Sequence, residues 1–347
     1  MSASRIGKFV SLLSLAALVT FEGSAVAEEF DRSQLIEGAR KEGKLVWYTG
    51  APDGLASRML SVFNEKYPFI DVSEYYSSTA GRVMSKLQAE IEAGRKVADV
   101  FHTGDMGTVL TLHSQGDIAP FVTPEQDNYG DLYKEPGIWT GWRITTLNMG
   151  YNGTRIKAED APDSWTALTE PRFSGKLGFQ DSTSGLQHLQ WYILRQHMGK
   201  DFWKQVAQNE PVIYGGNVAI VEAVLRGELH LAGETTSYFI WKYTQSKKTP
   251  FKGVWPVEGV PLGVQPISVL KDAPHPNAAR LFVDWVLSQE GQRVMVEAIG
   301  DYSARDDVDP PQGSPKLSAL KTLLPDSYEG LLNSKEEFIE EWKMLAK

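Results

Sequence analysis

The chain has 347 residues, a formal net charge of −9 and no cysteine. That composition excludes disulfides and thiolate metal sites, and its acidic balance argues against nonspecific nucleic-acid binding, which needs basic patches. The length exceeds the usual size of one hydrophobic core, so two lobes are expected.

Segment 1–27 carries the three-part pattern of a secretory signal peptide. Arg5 and Lys8 give a positive start, and residues 9–19 (FVSLLSLAALV) are apolar but too short to cross a bilayer as a helix. Ala25-Val26-Ala27 then supplies the small-x-small cleavage pattern, with Glu28 opening the mature chain. A membrane anchor needs about 20 apolar residues, and no later run is that long. With no cysteine to carry lipid, the expectation is a free, soluble monomer of the bacterial periplasm.

Residues 35–42 read as a helix that Gly43 stops. Residues 44–48 (KLVWY) are a short buried strand ending in Thr49-Gly50-Ala51-Pro52. Leu55, Met59, Val62 and Phe63 share one face of a helix over 55–67. Residues 70–76 form a second strand, and Ser77-Ser78-Thr79-Ala80-Gly81 leads into a helix near 83–92. Residues 98–102 form a third strand, followed by Thr103-Gly104-Asp105. The scheme repeats with a strand over 143–151 and a helix and turn at 165–168 and 171–173. A strand follows over 176–180, and Asp181-Ser182-Thr183-Ser184-Gly185 opens a helix to about His197. A short strand at 211–214 precedes Gly215-Gly216-Asn217 and a helix over 218–225. A strand over 229–232 then runs into Gly233-Glu234-Thr235-Thr236-Ser237-Tyr238. A strand over 263–270 and an amphipathic helix over 277–289 follow. The acidic tail beyond Lys316 is expected to be a solvated packing helix. Strands alternating with helices predict parallel α/β sheets, with ligand at the carboxyl ends of the strands.

Several phrases carry a resemblance: KEGKLVWYTG (41–50), ADVFHTGD (98–105), NVAIVEAVLRGELHLAGETTSYF (217–239), LGVQPISVLKDAPHPNAARLFVDWVLSQEGQ (262–292) and YSARDD (302–307). In this order and spacing the chain resembles a periplasmic substrate-binding protein of an ABC importer. More narrowly, it resembles the ferric-iron-binding proteins and their organophosphate- and phosphonate-binding relatives. The resemblance implies a type II, two-lobed α/β fold, each lobe a mixed sheet flanked by helices. Lobe one would be 28–140 plus 257–300, and lobe two 141–256 plus 301–347. Ligand would bind in the cleft, with hinge closure around it.

Ferric-iron binders of this kind hold the metal with adjacent tyrosines, often with a His and a Glu, plus an anion. The tyrosine pair matches Tyr238-Phe239, and Phe239 has no oxygen to offer. The early histidine would fall in Thr49-Gly50-Ala51-Pro52-Asp53, which has none. If iron binds, Tyr238 and Asp105 are the ligands, fewer anionic oxygens than a hard ferric ion prefers. The anion-binding elements are better kept. Ser184-Gly185 matches the helix start that holds the anion, Asn217 matches a contacting asparagine, and Thr236 stands where another asparagine would be. Free N–H groups at a helix start favour phosphate or carboxylate on physical grounds alone.

Ser182 and Thr183 add hydroxyl donors. Thr49, Gly50, Ser77, Ser78 and Thr79 form a comparable set in lobe one. Arg143 would pair its planar fork with an anion, Trp142 would pack on an organic part, and His102 ends a strand at the cleft. A Ser or Thr before a helix also serves simply as an N-cap, worth about 1 kcal/mol.

The expected function is a non-enzymatic receptor without a cofactor. It captures a small anionic organic solute (a phosphonate, phosphate ester or carboxylate) and delivers it to an inner-membrane ABC permease. Ferric iron with a synergistic anion is the alternative. A secreted hydrolase is the alternative of another class, without support from a Gly-x-Ser-x-Gly turn, a His-Glu-x-x-His helix or a P-loop.

Overall fold

A computed structural model describes residues 30–345. The export segment 1–27 lies outside them. From Asp31 onward the chain forms one compact unit.

Eleven strands are present among the described residues: β1 Trp47–Thr49, β2 Tyr75–Ser77, β3 Val100–His102, β4 Lys134–Glu135, β5 Trp139–Asn152, β6 Leu177–Gln180, β7 Val212–Tyr214, β8 Leu231–Thr236, β9 Phe251–Val254, β10 Val260–Val269 and β11 Thr322–Leu323. The main path runs β2-β1-β3-β10-β5-β8-β6-β7. β1, β2 and β3 are parallel, as are β6, β7 and β8. The two long strands depart from the expected parallel pattern. β10 is antiparallel to β3 and β5, and β5 is antiparallel to β8. Residues 140–146 of β5 pair with β10, whereas 147–152 pair with β8 and β9. The two halves of the molecule thus share one continuous strand.

Local chemistry sets the flanking helices. Asp31 caps Arg32–Glu42 by accepting from Ser33 and Gln34 N–H, and Gly43 ends it in the left-handed region. The expected helix over 277–289 is Pro276–Leu287, and a second helix, Gln289–Ile299, follows it directly. Ser288 stands at the break and caps the second through Gly291 N–H. Lobe one packs Trp47, Phe63 and Trp285 around Phe282, at ring separations of 5.1, 5.0 and 6.2 Å.

The tail is more deeply packed than expected. Helix Lys335–Leu345 is not merely solvated, because Phe338, Trp342 and Leu345 are buried in the lobe-two core with Phe179, Trp191 and Trp203. The tail also makes contacts elsewhere. Arg305 pairs with Glu125 of lobe one, and Leu332 of helix Tyr328–Asn333 lies against Gly107 in helix Met106–Gln115.

Candidate functional site

The lobe-two wall is built where β6 and β7 end. Ser184 caps helix Gly185–Met198, its Oγ accepting from Gln187 N–H at 3.2 Å. Thr183 is turned onto Asp181, donating its N–H to Oδ1 at 2.9 Å, and the Ser182 carbonyl accepts from Lys335 Nζ at 3.1 Å. β7 leads through Gly215 and Gly216 into helix Asn217–Arg226, whose N-cap Gly216 supplies no side-chain bond. A Cβ on Gly216 would meet nothing within 4 Å, so this helix start is open to approach. Ser184, Asn217, Leu186, Val218, Ala219 and Phe239 surround one opening of about 620 Å³. Two helix N-termini and an apolar collar therefore share a single space, and Gly185 lies at the start of the first of them.

Beneath that space sits a residue that sequence reasoning missed. Glu234 is fully buried on β8, and its Oε2 accepts from Gln180 Nε2 at 2.6 Å and from Asn217 Nδ2 at 3.0 Å. Burial pushes its carboxyl up to about 7, against the opposing pull of the two amides. The available signal was a carboxylate set inside the strand LAGETT.

Thr236 caps the short helix Ser237–Trp241 through a long bond from Phe239 N–H, 3.5 Å. Tyr238 is half-buried, with its ring edge-on to Phe239 at 4.9 Å. Phe239, not Tyr238, lines the opening. Asp105, the second iron candidate, is committed as a cap: Oδ1 accepts from Gly107 N–H and Oδ2 from Thr108 Oγ1, both at 3.0 Å. Among the described residues no group of three His, Cys, Asp or Glu is arranged to hold a metal ion.

The lobe-one loops do gather together. Ser77 donates to the Ala51 carbonyl at 2.6 Å, Ser78 N–H to the Thr49 carbonyl at 3.1 Å, and Gly50 N–H to the His102 carbonyl at 2.9 Å. Thr79 is exposed at the start of helix Ala80–Glu92 and makes no capping bond.

Four side chains expected at the cleft are buried. Thr49 and His102 are fully buried, joined Oγ1 to Nδ1 at 2.7 Å. His102 stands edge-on to Trp142 at 5.0 Å, and burial holds its imidazole well below its usual range, so it is neutral. Trp142 is itself fully buried. Arg143 is buried on β5, donating Nη2 to Gln265 Oε1 with its Nε 3.6 Å from Asp301. Asp301 also accepts from Thr145 and Ser237 hydroxyls. The Arg143 charge is thus engaged between the crossing strands rather than in the opening. Lys335 reaches the 181–184 loop from the tail, and burial lowers its pKa while Asp105 raises it.

Residues 95–325 match the model of the bacterial extracellular solute-binding protein family, and the chain belongs to that family. An uncharacterised protein of Haemophilus influenzae is 27% identical over 310 residues, 85% of this chain and 83% of that one. The fold is similar to that of iron-bound HitA from Pseudomonas aeruginosa, with a TM-score of 0.73, 23% identity, and coverage of 88% of this chain and 99% of that one. It is also similar to the periplasmic binding protein AfuA from Actinobacillus pleuropneumoniae with fructose-6-phosphate bound, with a TM-score of 0.70, 21% identity, and coverage of 86% and 97%. The architecture is that of type II two-lobed periplasmic binding proteins, and the family is one of solute-binding proteins.

Proposed function

We propose that this protein captures a small organic anion, a phosphonate, phosphate ester or carboxylate, between its lobes and hands it to an ABC permease. One observation carries the choice of ligand. The open N-terminus of helix Asn217–Arg226 and the Ser184-capped N-terminus of Gly185–Met198 face the same space, beside Phe239 where a ferric binder would need a phenol. Free N–H groups and the positive ends of two helices favour an anionic head group. Leu186, Val218 and Phe239 suit an apolar or organic remainder. Ferric iron with a synergistic anion is the second reading, supported by Tyr238 and by the likeness to iron-bound HitA. Calorimetric titration of the purified protein with organic anions and with ferric salts separates the two. Binding of an organic anion without metal supports the proposal, with Asn217→Ala weakening it by about tenfold or more. Tight iron binding with a tyrosinate charge-transfer band, lost in Tyr238→Phe, overturns it.

A further inference from the structure

One carboxylate oxygen of Glu234 holds two amides while the other holds nothing. Oε2 accepts from both Gln180 and Asn217, whereas Oε1 is buried without a partner, and so is Oδ1 of Asn217. Asn217 is only 4% exposed, yet it stands at the helix N-terminus and lines the opening. With Glu234 ionised, both unpartnered atoms are acceptors, and an unsatisfied buried acceptor costs about 1–3 kcal/mol. A proton on Oε2 answers the Asn217 oxygen, and it removes the charge that makes the burial of Oε1 costly. A protonated Glu234 becomes a donor. The Asn217 amide, whose two ends have the same shape, can then turn over, give its oxygen to that hydroxyl and free its NH2.

We propose that Glu234 is a positioning residue for ligand capture: it takes up one proton as an anion docks at the helix N-termini, and so turns the NH2 of Asn217 toward that anion. This rests on the organic-anion reading above. The proton comes from solvent, and no other bond changes hands. The groups facing Glu234 are the neutral amides of Gln180 and Asn217. Burial dominates its titration, and the two amides oppose it. An incoming negative charge raises the carboxyl further, so binding and protonation reinforce each other.

The test uses the purified protein with and without ligand. Without ligand, the side-chain NH2 resonances of Asn217 are followed by NMR between about pH 6 and 9. They should move with a midpoint near that of Glu234 in the wild type and stay flat in Glu234→Gln. With ligand, benzenesulfonate and benzoate, whose charge is constant over this range, are titrated calorimetrically in two buffers of different ionisation heat. Affinity should fall about tenfold per pH unit above the midpoint, with uptake of close to one proton. Glu234→Gln, which carries a permanent NH2 donor, should bind with neither effect. Flat Asn217 resonances in the wild type, or a pH profile unchanged in Glu234→Gln, overturn the proposal. Anion binding above the midpoint without proton uptake also overturns it and leaves the organic-anion reading intact. If Asn217 titrates with Glu234 but no organic anion binds even near pH 6, the coupling is supported and the organic-anion reading fails.

Discussion

Replacing Trp342 by alanine removes the largest side chain of the C-terminal helix from the lobe-two core. Its indole is 2% exposed, lies 5.3, 5.1 and 5.7 Å from the rings of Trp203, Phe338 and Phe179, and donates to the Gln180 carbonyl at 2.9 Å. A buried tryptophan removes on the order of 200 Å² from water, which at about 25 cal/mol per Å² sets an upper value of about 5 kcal/mol. Truncation of buried aromatic residues costs about 3–5 kcal/mol, the spread depending on how far the site collapses. W342A should therefore lose about 4 kcal/mol in guanidinium unfolding followed by far-UV circular dichroism. Tm should fall on the order of 10 °C, and W342F should lose less than half as much. A loss under about 1 kcal/mol would refute the reasoning, because only a solvated helix tolerates the change so well.

Three further outcomes follow from particular contacts. Glu234 titrates at about 7 when folded against an ordinary 4.5, so the folded state holds the proton longer; its stabilising contribution is full below the lower value and is lost as pH rises through the upper. Glu234→Gln should gain about 3 kcal/mol on the wild type between roughly pH 4.5 and 8 in denaturant unfolding, and parallel pH profiles would count against the buried carboxyl. Asp301→Ala leaves Arg143 buried without its carboxylate and should cost about 3–5 kcal/mol; a loss near zero would mean water reaches the guanidinium. Gly300 has φ +69° and a Cβ there would lie 2.1 Å from Trp241, whereas Gly94, at φ +67°, faces open space. Gly300→Ala should thus lose about 2–3 kcal/mol and Gly94→Ala about 1, and equal losses would exclude the Trp241 contact as the cause.

Helix starts and stops were legible because they depend on neighbours in the chain. Gly43 and Ser184 act as local spacing implies, although the first helix begins at Arg32, ahead of the expected residue 35, and Ser184 and Asn217 meet at one opening because strand-end loops converge in such sheets. Side-chain direction was less legible. β3 and β5 are buried along their whole length, so position at a strand end did not tell whether His102 or Arg143 faces ligand or core. Glu234 escaped notice because its burial depends on Gln180 and Asn217, each brought from another element. In the tail, acidic residues on the outer face masked the Phe338–Trp342 pair, whose i,i+4 spacing already marks an inward stripe.

The strand order also has a temporal side. β10 lies between β3 and β5, yet in the chain it follows every strand of the other half's main sheet. As the polypeptide is made or threaded from its N-terminus, lobe one cannot finish its sheet until residue 269 has emerged. Until then β3 and β5 each offer an unpaired edge on the side β10 will fill, the kind that recruits foreign strands, and the pairing that closes them spans a long sequence distance and is slow. Late completion also means that any product truncated before β10 carries two raw edges, and its fate is aggregation rather than a half-working receptor.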